Sequence, residues 1–388
     1  MPVYLDHNAT SPPSDAVIDA VAHAMKAFPA NPSSVHRAGQ EARRAVELAR
    51  ASLAGLIGAK PRDITLVSGG TEAIDLALRG GLAALPSERR LLTTTAIEHA
   101  AIRELAEEFS RIRTPVRTLA LSPSGQTLLR PTTDPDQRAD FAGIVSVQWA
   151  NNETGTIQPV REIAAAVHAS GGLFHCDATQ WIGKEPSIDA ATWADFVTFA
   201  PHKFGGSMGV GVLWVKPGVK LSPRILGTQE LGRRGGTENV PGIVGAGLAA
   251  DEVAAWLATD GRVRGRALRD HFETLLRTAL PEVVINGSGA PRLWNTSNIG
   301  FPRLEAEALL MLLSERGIYA SAGAACSSGS LEPSPVLLAM GIPPEVAHGS
   351  LRFSLGRTTT EAQVTDAAAV VVECARKLRG NSIALGSR

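Results

Sequence analysis

Between residues 60 and 215 the chain alternates short β-type runs with helix-type segments, and this alternation restricts the fold more than any other feature. The runs 64–68, 91–95, 116–119, 144–149, 173–176 and 196–200 are short and mostly apolar, 144–149 nearly continuously so. A strand with two apolar faces needs cover on both sides, as strands of a parallel sheet have. Residues 73–85, 100–110 and 163–170 supply helices between them. The pattern predicts an α/β fold with a mostly parallel sheet sandwiched by helices.

Polar residues follow the carboxyl ends of successive strands: Thr71, His99, Asn152, Asp177 with Gln180, and His202 with Lys203. Ligands of open α/β sheets bind at those ends. Lys203 is the most unusual of the set. The stretch ADFVTFAPHKFGGSMGVGVLWV, residues 194–215, reads strand, turn, strand, with the lysine at the tip of an apolar strand. Burying an ammonium is costly, so such a lysine is paired, deprotonated or covalently modified, unless it is solvated at a loop. Gly69-Gly70-Thr71 opens a helix after a strand, which suits a phosphate and equally suits a plain N-cap threonine. His99 reads as a proton carrier or as a satisfied core histidine.

Past residue 221 the pattern changes. Residues 226–240 are rich in glycine and arginine, 244–280 are mainly helical, and short strands at 283–285, 298–301, 318–320 and 351–355 alternate with helices at 305–315, 334–340 and 361–378. The division predicted is a large domain over 15–257 and a smaller α+β domain built from 1–14 and 258–388. Residues 4–10 read as a lead-in arm and 28–36 as a connecting loop.

Lys+Arg and Asp+Glu both number 38, so no net field argues for nucleic acid or an anionic membrane surface. No apolar run reaches transmembrane length, and MPVYLDHNAT lacks the regions of a signal peptide. Three cysteines fit a reducing cytoplasm and argue against a disulfide scaffold or a four-ligand zinc site. Cys176 and Cys374 sit in apolar runs and read as core filler. Cys326 sits in SAGAACSSGSL, residues 321–331, where nothing bulky packs it down. Such a thiol suits a nucleophile that reaches a ligand and swings away, or is an incidental surface cysteine. Arg352 reads as a carboxylate clamp or a surface ion pair.

Pyridoxal phosphate needs this mixture of groups: a lysine for its aldehyde, a carboxylate for its ring nitrogen, donors for its phosphate and a partner for its phenolic oxygen. Asp177 suits the nitrogen, Thr71 and His202 the phosphate, Gln180 and Asn152 the phenolic oxygen.

The chain resembles the class-V aminotransferase family, and within it the cysteine desulfurases of the NifS and IscS type. The motifs that carry the resemblance are YLDHNAT (4–10), NPSSVH (31–36), SGGTEA (68–73), EHAA (98–101), WANNETGT (149–156) and HCDATQ (175–180). They continue with HKFGG (202–206), RRGGTENV (233–240), ACSSGSLEPS (325–334) and HGSLRFSLGR (348–357). The resemblance implies a two-domain, type I pyridoxal-phosphate fold and a homodimer with its active sites at the subunit interface. The implied reaction converts L-cysteine to L-alanine, with the sulfur held as a persulfide and passed to an acceptor protein such as an iron–sulfur scaffold.

By the same resemblance Lys203 carries the cofactor, Asp177 holds the pyridine nitrogen and His99 stacks on the ring. Asn152 and Gln180 lie near the phenolic oxygen. Gly70, Thr71 and His202 bind phosphate, with Thr237 added across the dimer. Asn31 and Arg352 grip the substrate carboxylate, and Cys326 takes the sulfur. The chain departs from its relatives at Ala200, where many have serine, at Ser207-Met208, at Thr228 and Leu231, and at Ala322 and Ala324. A transaminase or a selenocysteine lyase on the same fold is the rival activity. A catalytically silent sulfur carrier is the rival of another class.

Overall fold

The structure is a computed structural model that describes residues 2–129, 141–322 and 332–386, with side chains up to residue 380. Twelve strands are found among the described residues: β1 Val3–Tyr4, β2 Ile64–Val67, β3 Leu92–Thr95, β4 Val116–Leu119, β5 Ile144–Gln148, β6 Leu173–Asp177, β7 Phe196–Phe199, β8 Gly211–Val215, β9 Val284–Asn286, β10 Thr296–Gly300, β11 Ile318–Tyr319 and β12 Ser350–Ser354. Seven form one sheet in the order β2-β8-β7-β6-β5-β3-β4. Strand β8 runs antiparallel to both its neighbours, and the other pairings are parallel.

Both faces of this sheet are covered, and the pleat sorts the residues. Val197, Val212 and Trp214 enter one apolar cluster with the helices Asp15–Ala27, Arg37–Gly55, Val160–Ala169 and Val240–Leu257. Their neighbours Phe196, Leu213 and Val215 enter another, with the helical segment 70–84 and the helix Ala100–Arg111. Adjacent residues on opposite faces are what a period of two requires.

Helix Val240–Leu257 is long and apolar enough to cross a membrane by length and composition alone, and half of it is buried in the protein. It is a core helix here. Gly247 lets it approach helix Arg37–Gly55 so closely that a Cβ would lie 2.6 Å from the Cα of Ala49.

The remaining strands form a three-stranded antiparallel sheet, β12-β10-β9, and a parallel pair, β1-β11. They share a third apolar cluster with the helices Gly261–Ala279, Ala306–Glu315 and Glu361–Gly386. Val3 and Leu5 belong to this cluster, so the N-terminal arm packs with distant sequence.

Two local expectations are revised. The helix placed at 73–85 starts at Gly70, and its middle, Leu76–Gly80, winds as a π-helix before Gly81–Ala84. Gly81 is pressed against the sheet there, since a Cβ on it would come within 2.8 Å of Ile144 Cδ1. Lys203 is not at the tip of β7 but inside a 3-10 turn, Pro201–Phe204, which Gly205 closes at φ 93°, in the left-handed region.

Candidate active site

A cavity of about 400 Å³ opens where the carboxyl ends of the sheet strands meet the N-terminal arm and β12. Gly70, Thr71, His99, Asn152, Asp177, Gln180, His202, Lys203 and Arg352 all line it. They come from six separate stretches of the chain, which the strand order brings together.

The Lys203 amine donates to the carbonyls of Asn8 (2.9 Å) and Ala9 (2.8 Å). Beside it, His202 pairs through Nδ1 with the Thr10 hydroxyl at 3.1 Å. Burial and the Lys203 charge lower the His202 pKa to about 4, so its ring is neutral near pH 7. The 3-10 turn thus fixes lysine and histidine on adjacent walls of the cavity, both tied to the arm at 8–10.

Asp177 ends β6 and is only 5% exposed. One carboxylate oxygen accepts the Thr179 N–H at 3.0 Å. Behind it lies His175, fully buried between the Ser146 and Thr198 hydroxyls (2.8 and 3.0 Å). Burial brings the His175 pKa to about 4, so this is an uncharged spacer.

His99 is the N-cap of helix Ala100–Arg111, and its Nδ1 accepts the Ala101 N–H at 3.2 Å. That bond leaves Nε2 as the protonated nitrogen of the neutral ring. Burial lowers the His99 pKa; the Asp177 carboxylate opposes this, and the Lys203 and Arg103 charges add to it. Its neighbour Glu98 is fully buried, accepting from the Thr95 hydroxyl (2.6 Å) and from the Gln148 N–H (2.9 Å). Burial raises the Glu98 pKa to about 8.

Arg352 on β12 is 2% exposed and binds the Asn152 carbonyl (3.0 Å) and the Asp6 carboxylate (2.6 Å). Asn152 O and the side chain of Asn8 also meet, at 3.2 Å. Glu153, next in the chain, accepts from the Ser334 hydroxyl at 2.6 Å, and Ser334 caps the helix Pro335–Ala339. Glu153 and Pro335 both line the cavity, so this cap lies beside it.

Three predicted site residues are not in this group. Asn31 and Thr237 are both exposed; they face each other across 3.4 Å, and Thr237 lines a separate cavity of about 80 Å³. Cys326 lies outside the described residues. Cys176 and Cys374 are buried free thiols, and burial pushes the Cys176 thiol well above its ordinary value, as fits core filler.

Sequence reasoning missed Asn8, Lys184, Thr179 and Arg103. Asn8 is 1% exposed and bonds to Ser354, Thr296, Asn295 and Asn152. No periodicity marks it, because its importance comes from contacts hundreds of residues away. Lys184 stands four residues after Gln180, a spacing that could have paired them.

The residues fit pyridoxal phosphate. A carboxylate, an amine and two neutral imidazoles converge with the start of a helical segment, whose first N–H groups favour an anion. Two buried polar atoms on the cavity wall, Asn152 Oδ1 and Thr179 Oγ1, have no hydrogen-bond partner among the described residues. Such atoms call for a ligand group. Ala200, also on the wall, offers no hydroxyl.

The sequence pattern of the family described as aminotransferase class-V matches residues 3–366. A cysteine desulfurase of Trichormus azollae is 41% identical over 384 residues, covering 98% of this chain and 94% of that protein. A solved NifS-like protein superimposes with a TM-score of 0.87 at 33% identity, covering 96% of this chain and 99% of that one. SspA, solved in complex with cysteine, superimposes with a TM-score of 0.76 at 28% identity, covering 92% and 99%.

Proposed function

The chain belongs to the class-V aminotransferase family, and we infer that it is a pyridoxal-phosphate-dependent cysteine desulfurase. It converts L-cysteine to L-alanine, holds the sulfur as a persulfide on Cys326 and passes it to an acceptor protein such as an iron–sulfur scaffold. The observation that carries this reading is the convergence of Lys203, Asp177, His99 and Arg352 on one cavity, in a chain whose relatives are named cysteine desulfurases.

Each residue has a task that its surroundings suit. Lys203 is the covalent anchor for the cofactor. Its amine donates to two carbonyls, which hold it in place. Asp177 would hold the ring nitrogen of the cofactor and favour its protonated form. Gly70, Thr71 and His202 bind the phosphate, while Asn152 and Gln180 serve the phenolic oxygen. Arg352 offers its guanidinium to the substrate carboxylate. Bound there, pyridoxal phosphate supplies an electron sink for a carbanion at the substrate Cα. His99 carries protons at Nε2, since Nδ1 is committed to the helix cap. The Cys326 thiolate would attack the substrate sulfur; the substrate C–S bond breaks with its electron pair left on the three-carbon skeleton, which takes up protons and leaves as alanine.

The active unit is a homodimer. The separation of Asn31 and Thr237 from the cavity supports this, because Thr237 then serves the partner's phosphate site. Asn31, assigned with Arg352 to the substrate carboxylate, stands with Thr237 and acts from the same side. The loops around them expose Val35 (90%), Leu226 (82%) and Leu231 (76%), an apolar surface that an interface would cover. Separate apolar clusters support a domain division of 15–257 against 1–14 with 258–388. A cytoplasmic setting agrees with the two buried free thiols.

Replacing the nucleophile tests the chemistry. Cys326→Ala should keep the visible absorbance of bound cofactor and lose sulfide release from L-cysteine. Full desulfurase activity in that variant would overturn the mechanism.

A further inference from the structure

Lys184 is 4% exposed, and no carboxylate pairs with it among the described residues. It lies outside every role given above. Gly183, at φ 79°, turns the chain so that Lys184 points inward, and a Cβ at Gly183 would come within 2.5 Å of Phe204 Cβ, the residue after Lys203. The Lys184 carbonyl is fixed by the indole N–H of Trp294 at 2.9 Å. Its side-chain nitrogen donates to Asn8 Oδ1 at 2.7 Å and to Gln180 Oε1.

Those two acceptors join two walls of the cavity. Gln180 Nε2 donates to the Asn8 carbonyl at 3.0 Å, the same carbonyl that accepts from the Lys203 amine. A main-chain carbonyl only accepts, so the Gln180 amide must present its NH2 to Asn8 and its oxygen to Lys184. The NH2 group keeps a second hydrogen, and Gln180 lines the cavity. Lys184 and the Asn8 carbonyl therefore fix, from its two ends, how the amide faces the cavity. An amide turned the other way would set two oxygens against each other and aim an acceptor at the ligand.

We propose that Lys184 is a positioning residue: it locks Gln180 and Asn8 so that the cavity receives a hydrogen-bond donor from Gln180 and the Lys203 amine keeps its seat on Asn8. This rests on the reading of the cavity as a pyridoxal-phosphate site, where an anionic phenolic oxygen needs such a donor. Burial, with the Lys203 and Arg352 charges nearby, pushes the Lys184 amine well below its ordinary value. The other titratable neighbour is His7, whose own pKa is lowered to about 4 by burial and by the Lys184 and Arg357 charges.

The test compares the full-length protein with Lys184→Met, Gln180→Ala and the double variant. Two quantities are measured: the pH midpoint of the bound cofactor's visible absorbance, and the affinity of cofactor-free protein for pyridoxal phosphate. A lost donor leaves more negative charge on the phenolic oxygen, so each single variant should raise the midpoint by about one pH unit and weaken binding about fivefold. The double variant should match the singles, because both remove one device. Additive shifts, or a Lys184→Met protein that unfolds more easily with an unmoved midpoint, would overturn the proposal. Should Lys184→Met not fold, Lys184→Gln, which keeps an NH2 donor, is measured in its place. A midpoint further from that of the natural protein than Gln180→Ala gives would count against the proposal. A natural protein that binds no cofactor would instead overturn the reading of the cavity itself.

Discussion

A second proton on His99 would cost the helix its cap, because Nδ1 already accepts the Ala101 N–H. The residue beside it stores a different constraint. Glu98 is fully buried, and its pKa stands near 8 against an ordinary 4.5. Between those values the folded protein binds a proton that the unfolded chain has lost. Stability contributed by Glu98 is therefore present at low pH and declines as pH rises from about 4.5 to about 8. Glu98→Gln should flatten this decline, which urea unfolding at pH 6 and pH 9 would measure; an unchanged slope would show that another group is responsible. Much of the site was legible at this scale, because Lys203 and His99 stand just past strands and Asp177 ends one. Asn8 and Lys184 were not. Their surroundings are assembled from residues such as Asn295 and Trp294, and no local pattern announces those.

Among the elements, the segment 226–240 has little regular structure, and one buried ion pair holds it. Arg50, from helix Arg37–Gly55, grips Glu230 with both nitrogens at 2.6 and 2.8 Å, and Glu230 also accepts the Leu66 N–H at 2.7 Å. Glu230 and Leu231 both hold positive φ, 50° and 58°, which side-chain-bearing residues rarely adopt. The pair overdetermines that backbone. Arg50→Met would leave a buried carboxylate alone and should cost roughly 3–5 kcal/mol. A denaturant midpoint within error of the natural protein would contradict it. Strands were easier to read than loops. Runs such as 144–149 are apolar on both faces, whereas nothing in TQELGRRGG points to an ion pair with residue 50. Helix starts were less legible, since Gly70 began a helix three residues before its apolar spacing did.

For the whole molecule, the sheet and its two helical layers followed from alternation, and the change of pattern after 221 coincides with the third apolar cluster. The arm was harder. Residues 4–10 read as a lead-in, yet β1 pairs with β11 and the next residues seat Lys203. Val3 and Leu5 of that arm pack in the third apolar cluster, while Asn8 and Ala9 line the cavity. At this scale the dimer is the expectation to weigh. Light scattering should give twice the chain mass at micromolar concentration, and a monomer that keeps full activity would contradict the role given to Thr237. The account as a whole stands on one reaction. Purified protein loaded with pyridoxal phosphate and given L-cysteine with a reductant should release alanine and sulfide in equal amounts; pyruvate in place of alanine, or no sulfide at all, would contradict it.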